Sequence, residues 1–118
     1  MIVGILKEIK AEENRVSMTP AGVEVMGQNG HTLLVEKGAG SGSGFEDSDY
    51  SKAGAEIVTT PKEIFDRAEM VMHVKEPLPP EYDLMRKDQI VFTYLHLAAA
   101  EELTLALINS KSVCIAYE

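Results

Sequence analysis

A chain of 118 residues with 45% hydrophobic and 25% charged positions has the composition of an ordinary soluble domain, with room for one core but little for a complete cofactor enzyme. Its formal charge of -8 argues against a broad electrostatic grip on nucleic acid or an anionic membrane, because phosphate binding needs clustered Lys and Arg. Residues 1–6 are apolar but are cut short by Lys7-Glu8 and so resemble neither a signal peptide nor a membrane span, and the lone Cys114 leaves no internal disulfide and fits a reducing cytoplasm.

Apolar runs alternate with capped helical segments, the rhythm of parallel strands joined by crossover helices. The first strand covers residues 2–6, and a polar loop follows. Thr19-Pro20 then supplies an N-cap and a proline at the first helical position, and Asn29-Gly30 closes that helix. A strand at 32–36 leads into a glycine loop at 38–44, a short helix at 47–53 and a strand at 55–58. Thr60-Pro61-Lys62-Glu63 is a capping box that opens a helix ending at Arg67. The next strand spans 70–74, and Pro77-Leu78-Pro79-Pro80 makes a rigid excursion at its end. A strand at 90–94, a helix at 100–109 and a last strand at 113–116 complete the order. Cys114 reads as a small core residue of that strand. The expected fold is α/β, a twisted parallel sheet of Rossmann-like or flavodoxin-like type with flanking helices. It is expected to be incomplete at the C-terminus and so to leave apolar sheet surface exposed.

The strongest chemical signal is a pair of apolar runs that each end in an ionisable residue: Val74-Lys75-Glu76-Pro77, and Phe92-Thr93-Tyr94-Leu95-His96 about twenty residues later. Ligands of open α/β sheets bind beyond the carboxyl ends of the strands, so Lys75 and His96 form a candidate site for an anionic substrate bearing a carbonyl. Lysine can polarise the carbonyl oxygen, and histidine can exchange protons with a hydroxyl or amine. Arg15 lies in the loop after the first strand and opens on the same rim, where its planar guanidinium suits a carboxylate. Neighbouring carboxylates could also simply pair with it. Tyr117, at the end of the last strand, reaches the same edge as a candidate pocket wall.

Other features read as structure. The loop Gly38-Ala39-Gly40-Ser41-Gly42-Ser43-Gly44 fails the G-x-G-x-x-G pattern at Ser43 and is expected to be a closely packed or flexible turn rather than a dinucleotide cradle. His31 sits at a helix end and His73 reads as structural; with His96 they lack a metal-ligand spacing, so no metal is expected. Met18, Met70, Met72 and Met85 read as core filler.

Taken together, Lys7-Glu8-Ile9-Lys10, Glu13-Asn14-Arg15-Val16, Thr19-Pro20-Ala21-Gly22-Val23, Val35-Glu36-Lys37-Gly38-Ala39-Gly40, Gly42-Ser43-Gly44-Phe45, Val74-Lys75-Glu76-Pro77 and Thr93-Tyr94-Leu95-His96-Leu97-Ala98 resemble, in order, the N-terminal part of the alanine dehydrogenase family. The first of these motifs are shared with the related domain of nicotinamide nucleotide transhydrogenase. The pair Lys75 and His96 points to the dehydrogenase branch. The resemblance implies NAD-dependent, reversible oxidative deamination of L-alanine to pyruvate and ammonia. Arg15 would hold the substrate carboxylate, Lys75 would bind substrate and polarise its carbonyl or imine, and His96 would be the general acid/base. It further implies that residues 1–118 are a substrate-domain portion and that NAD is held by a separate Rossmann domain. The portion alone would be inactive, and the whole protein would be a cytoplasmic homo-oligomer, a hexamer in the family. The alternative is a transhydrogenase-like coupling domain.

Overall fold

The computed structural model describes residues 1–118. Six strands, β1 (Ile2–Ile5), β2 (Thr32–Glu36), β3 (Glu56–Val58), β4 (Met70–Met72), β5 (Ile90–Thr93) and β6 (Val113–Ala116), form one sheet in the order β3-β2-β1-β4-β5-β6. Every pairing is parallel. The chain winds outward from β1 in one direction, returns, and winds outward in the other, so the strand order reverses between β1 and β4.

The helices are α1 (Pro20–Gln28), α2 (Asp47–Lys52), α3 (Pro61–Arg67) and α4 (Glu101–Ser110). Thr19 and Thr60 each accept a backbone N–H through the side-chain oxygen, from Gly22 and Glu63, both at 3.2 Å, and each is followed by proline at a position whose missing donor costs nothing. Alternate strand residues feed two cores. Val3, Ile5, Leu33 and Val35 pack with Val23 of α1 and Tyr50 of α2. Leu34, Val71 and Val91 pack with Ile64 and Phe65 of α3 and with Leu103 and Leu107 of α4. Both faces are covered, which is why these strands read as unbroken apolar runs.

Three details depart from the sequence expectation. First, β4 stops at Met72 instead of reaching residue 74, because the amides of Val74 and Lys75 leave the ladder and donate to the carboxylate of Glu8 at 3.1 and 2.8 Å. Second, the proline excursion runs into a 3-10 turn, Pro79–Leu84, with Pro79 and Pro80 at its start and the Glu81 carboxylate accepting the Leu78 N–H at 3.1 Å. Third, Cys114 is only half-buried rather than a full core residue, because β6 is the edge strand and its neighbours Val113 and Ile115 are exposed. Leu105 and Ile108 on α4 are also exposed. Met72 and Met85 are buried, and Met18 and Met70 pack against the core.

The glycine loop is filled by protein. A Cβ on Gly40 would meet the Tyr50 ring at 2.7 Å and Phe45 Cβ at 2.8 Å, and a Cβ on Gly42 would meet Asn14 at 2.8 Å. The Tyr50 hydroxyl donates to the Met18 carbonyl at 2.8 Å, which ties α2 to the loop after β1. Gly40→Ala should therefore destabilise the fold by about 1–3 kcal/mol, the usual cost of overpacking, measured as a lower denaturant midpoint; an unchanged midpoint would contradict this packing.

His73, just past β4, is 2% exposed and sits between two buried carboxylates. Its Nδ1 is 2.7 Å from Glu8 Oε2 and its Nε2 is 2.5 Å from Glu81 Oε2. Burial alone would lower the imidazole pKa, but the hydrogen bonds to Glu8 and Glu81 and their charges outweigh it and raise it to about 9. Glu36, also buried, accepts the Lys7 N–H at 2.7 Å, and burial raises its pKa. A folded-state His73 pKa above the unfolded value means that proton binding stabilises the fold: the contribution is complete below the ordinary 6.5 and is lost as pH rises through about 9. Stability should fall across that window by on the order of 3 kcal/mol, and His73→Gln should flatten the dependence. Stability that rises from neutral pH to 9 in the unsubstituted protein would contradict the assignment.

Candidate active site

The carboxyl ends of β1, β4, β5 and β6 deliver the candidate residues to one edge. Arg15 comes from the loop after β1. Its Nε and Nη2 donate to the two oxygens of Glu13 at 2.9 and 2.7 Å, and the Arg15 N–H donates to Glu13 as well, at 3.0 Å. The side-chain hydrogen bond from Arg15, together with its amide and the positive charges of Arg15 and Lys75, lowers the Glu13 pKa to about 2. Glu13 is thus a permanent carboxylate held in the guanidinium fork. Arg15 and Lys75 act on the same group, which brings the β1 and β4 loops into one electrostatic neighbourhood.

A cavity of about 520 Å³ opens here, with Arg15, Ser43, Phe45, Val74, Tyr94 and Tyr117 in its lining. Tyr117 packs edge-on to Tyr94 with ring centroids 4.9 Å apart and against Phe92 at 4.5 Å, so it forms an aromatic wall at the end of β6. Lys75 and His96 are not in the lining itself. Lys75 directly follows the lining residue Val74, and His96 stacks on the lining residue Tyr94, with centroids 6.0 Å apart and planes at 25°.

His96 occupies the left-handed backbone region, with φ 52° and ψ 45°, a conformation that a non-glycine residue keeps only when its surroundings impose it. The Glu118 carboxylate does so by accepting the N–H groups of Leu95 and His96 at 2.8 and 3.2 Å, and these hydrogen bonds lower its own pKa. Glu76 links the two strand ends. Its Oε1 accepts from Lys10 Nζ at 2.6 Å, and its buried Oε2, which has no hydrogen-bond partner, lies 3.4 Å from His96 Nδ1. Burial opposes the charge on Glu76, but the Lys10 hydrogen bond and His96 overcome it and lower its pKa. The carboxylate beside Lys75 therefore serves Lys10 and faces His96.

A larger cavity of about 730 Å³ lies between α1 and α2, but its charged groups are Glu24, Asp49 and Lys52. That anionic balance does not suit a carboxylate substrate, and the Arg15 cavity does. His31 is engaged by the N-terminal amine at 2.9 Å, away from this edge. Tyr94, Glu13 and Glu118 were not singled out from sequence, although Tyr94 lies two residues before His96 and its position at a strand end was a usable signal. Glu8 looked only like the residue that ends an apolar run.

The comparisons identify the family. A family model described as "Alanine dehydrogenase/PNT, N-terminal domain" matches residues 4–118. The chain is 58% identical over 118 residues to the alanine dehydrogenase of Bacillus subtilis and 55% identical to that of Methanococcus maripaludis, covering 100% of this chain and 31% and 32% of those proteins. A solved L-alanine dehydrogenase superposes with a TM-score of 0.97 at 53% identity over 100% of this chain and 32% of that one. A transhydrogenase from Sinorhizobium meliloti superposes with a TM-score of 0.91 at 29% identity over 98% of this chain and 34% of that one. The chain thus spans about a third of the length of the relatives it matches, and it belongs to the alanine dehydrogenase/PNT N-terminal domain family.

Proposed function

We propose that these 118 residues are the substrate-gripping part of an alanine dehydrogenase, which interconverts L-alanine with pyruvate and ammonia. The observation that carries this reading is the cavity lined by Arg15 and closed by Tyr94 and Tyr117, beside which Lys75 and His96 stand. Arg15 exchanges Glu13 for the substrate carboxylate, a like-for-like replacement that leaves the guanidinium fork satisfied. Lys75 donates to the carbonyl oxygen or imine nitrogen and stabilises the charge that develops there. His96 exchanges a proton with the amine or hydroxyl, and the Glu76 carboxylate stands 3.4 Å from its Nδ1. Phe45, Val74 and Tyr117 offer an apolar wall to a short side chain.

The reaction needs a hydride acceptor, which the family supplies as NAD. The glycine loop of this chain does not fit a dinucleotide, since the Tyr50 ring and Asn14 occupy the space at Gly40 and Gly42. On this reading NAD is bound by residues outside the 118, and residues 1–118 do not turn over alone. The same reading makes the protein a cytoplasmic homo-oligomer, hexameric as in the family. No helix is long and apolar enough to cross a membrane.

In the intact protein, Lys75→Ala and His96→Gln should each lower kcat/KM for pyruvate by roughly 100- to 10,000-fold, the range for loss of a positioned acid/base or electrostatic group. Arg15→Lys should act mainly on KM, because the bidentate grip is lost while the reacting groups stay in place. Near-normal rates for both the Lys75 and His96 variants would instead favour a binding and coupling domain of the transhydrogenase type.

A further inference from the structure

Lys75 lies beyond the end of β4, where the sheet no longer holds the backbone, yet both polar groups of its peptide are held by side chains. Its N–H donates to Glu8 Oε1 at 2.8 Å, and its carbonyl accepts from Thr93 Oγ1 at 2.8 Å. Glu8 belongs to the loop after β1 and Thr93 is the last residue of β5, so Lys75 is clamped from the strands on either side. The clamp is itself fixed. Glu8 Oε2 accepts from the Val74 amide at 3.1 Å and from His73 at 2.7 Å, and the far nitrogen of His73 is held by Glu81 at 2.5 Å. Thr93 is fully buried, and Glu8 and His73 nearly so.

We infer that Glu8 and Thr93, with His73 behind Glu8, are positioning residues for Lys75: they set the direction in which its four-carbon stem leaves the sheet edge and its distance from the Arg15 loop. The inference rests on the proposed role of Lys75. Glu8 touches no substrate in this scheme, because its three hydrogen-bonding contacts all go to the chain itself. Its loop continues to Arg15, so one carboxylate sets the spacing between the residue that grips and the residue that polarises. A misplacement of about 1 Å at a reacting group costs roughly 100-fold in rate.

Buried hydrogen bonds also stabilise, so a loss of activity alone would not separate positioning from structure. A mutant cycle does. In the intact protein, Glu8→Gln, Thr93→Val and Lys75→Ala are made singly, and the first two are then combined with Lys75→Ala; reductive amination of pyruvate is measured. Glu8→Gln and Thr93→Val should each lower kcat by roughly 10- to 100-fold with less than about a 3-fold change in KM for pyruvate, since Arg15 still grips the carboxylate. In the Lys75→Ala background each should have less than about a 2-fold further effect, because the group they position is gone. Losses that multiply in that background, or single variants with unaltered kcat beside an inactive Lys75→Ala, would overturn the positioning role while leaving the substrate reading intact. An active Lys75→Ala would overturn the reading and this inference together. If Glu8→Gln does not fold, the near-isosteric Thr93→Val carries the cycle alone.

Discussion

An imidazolium held between two carboxylates joins the halves of this sheet. The strand order reverses between β1 and β4, and at such a reversal the two outgoing loops diverge and leave a crevice. Glu8 leaves from the β1 side and His73 from the β4 side, and their contact at 2.7 Å closes the base of that crevice. Buried charges are unfavourable when isolated, and here each has partners. Glu8 takes the amides of Val74 and Lys75 as well as His73, and Glu81 takes the Leu78 amide and the other nitrogen of His73. Removing the proton from His73 would leave one of these carboxylates facing a lone pair in a dry interior.

The candidate site is built on top of this junction. Ligands of open parallel sheets bind beyond the carboxyl ends of the strands, and the ends of β1, β4, β5 and β6 contribute Arg15, Lys75, His96 and Tyr117 respectively. Each is restrained by something other than the ladder. Glu13 holds the Arg15 guanidinium, Glu8 and Thr93 hold the Lys75 peptide, Glu118 holds the strained turn at His96, and Tyr94 and Phe92 hold the Tyr117 ring. Carboxylates do most of this work, and they account for a useful part of the chain's surplus of negative charge.

The elements that were legible in the sequence carried their own punctuation. Thr60-Pro61 and Asn29-Gly30 mark helix ends through local hydrogen bonding and backbone geometry, so α3 and β2 fall where their residues place them. Strand ends are set by what lies beyond them. Residues 73 and 74 look like strand, but the Val74 and Lys75 amides are taken by Glu8, which is 65 positions away in sequence from His73. The same distance hid the environment of His73: its burial was readable from its apolar neighbours, its two carboxylate partners were not. The candidate residues Arg15, Lys75, His96 and Tyr117 were found because parallel topology sends every strand end to one edge. The cavity wall at Tyr94 and the occupancy of Arg15 by Glu13 depend on rotamers and loop paths that no periodicity encodes.

The charge state of one ring is the most direct test of this account. Nitrogen-15 NMR of the His73 imidazole, followed from pH 6 to 10, should show both ring nitrogens protonated at neutral pH and a single transition near the expected 9. A neutral ring with one protonated nitrogen at pH 7, titrating at or below the ordinary 6.5, would contradict the claim that an imidazolium bridges Glu8 and Glu81.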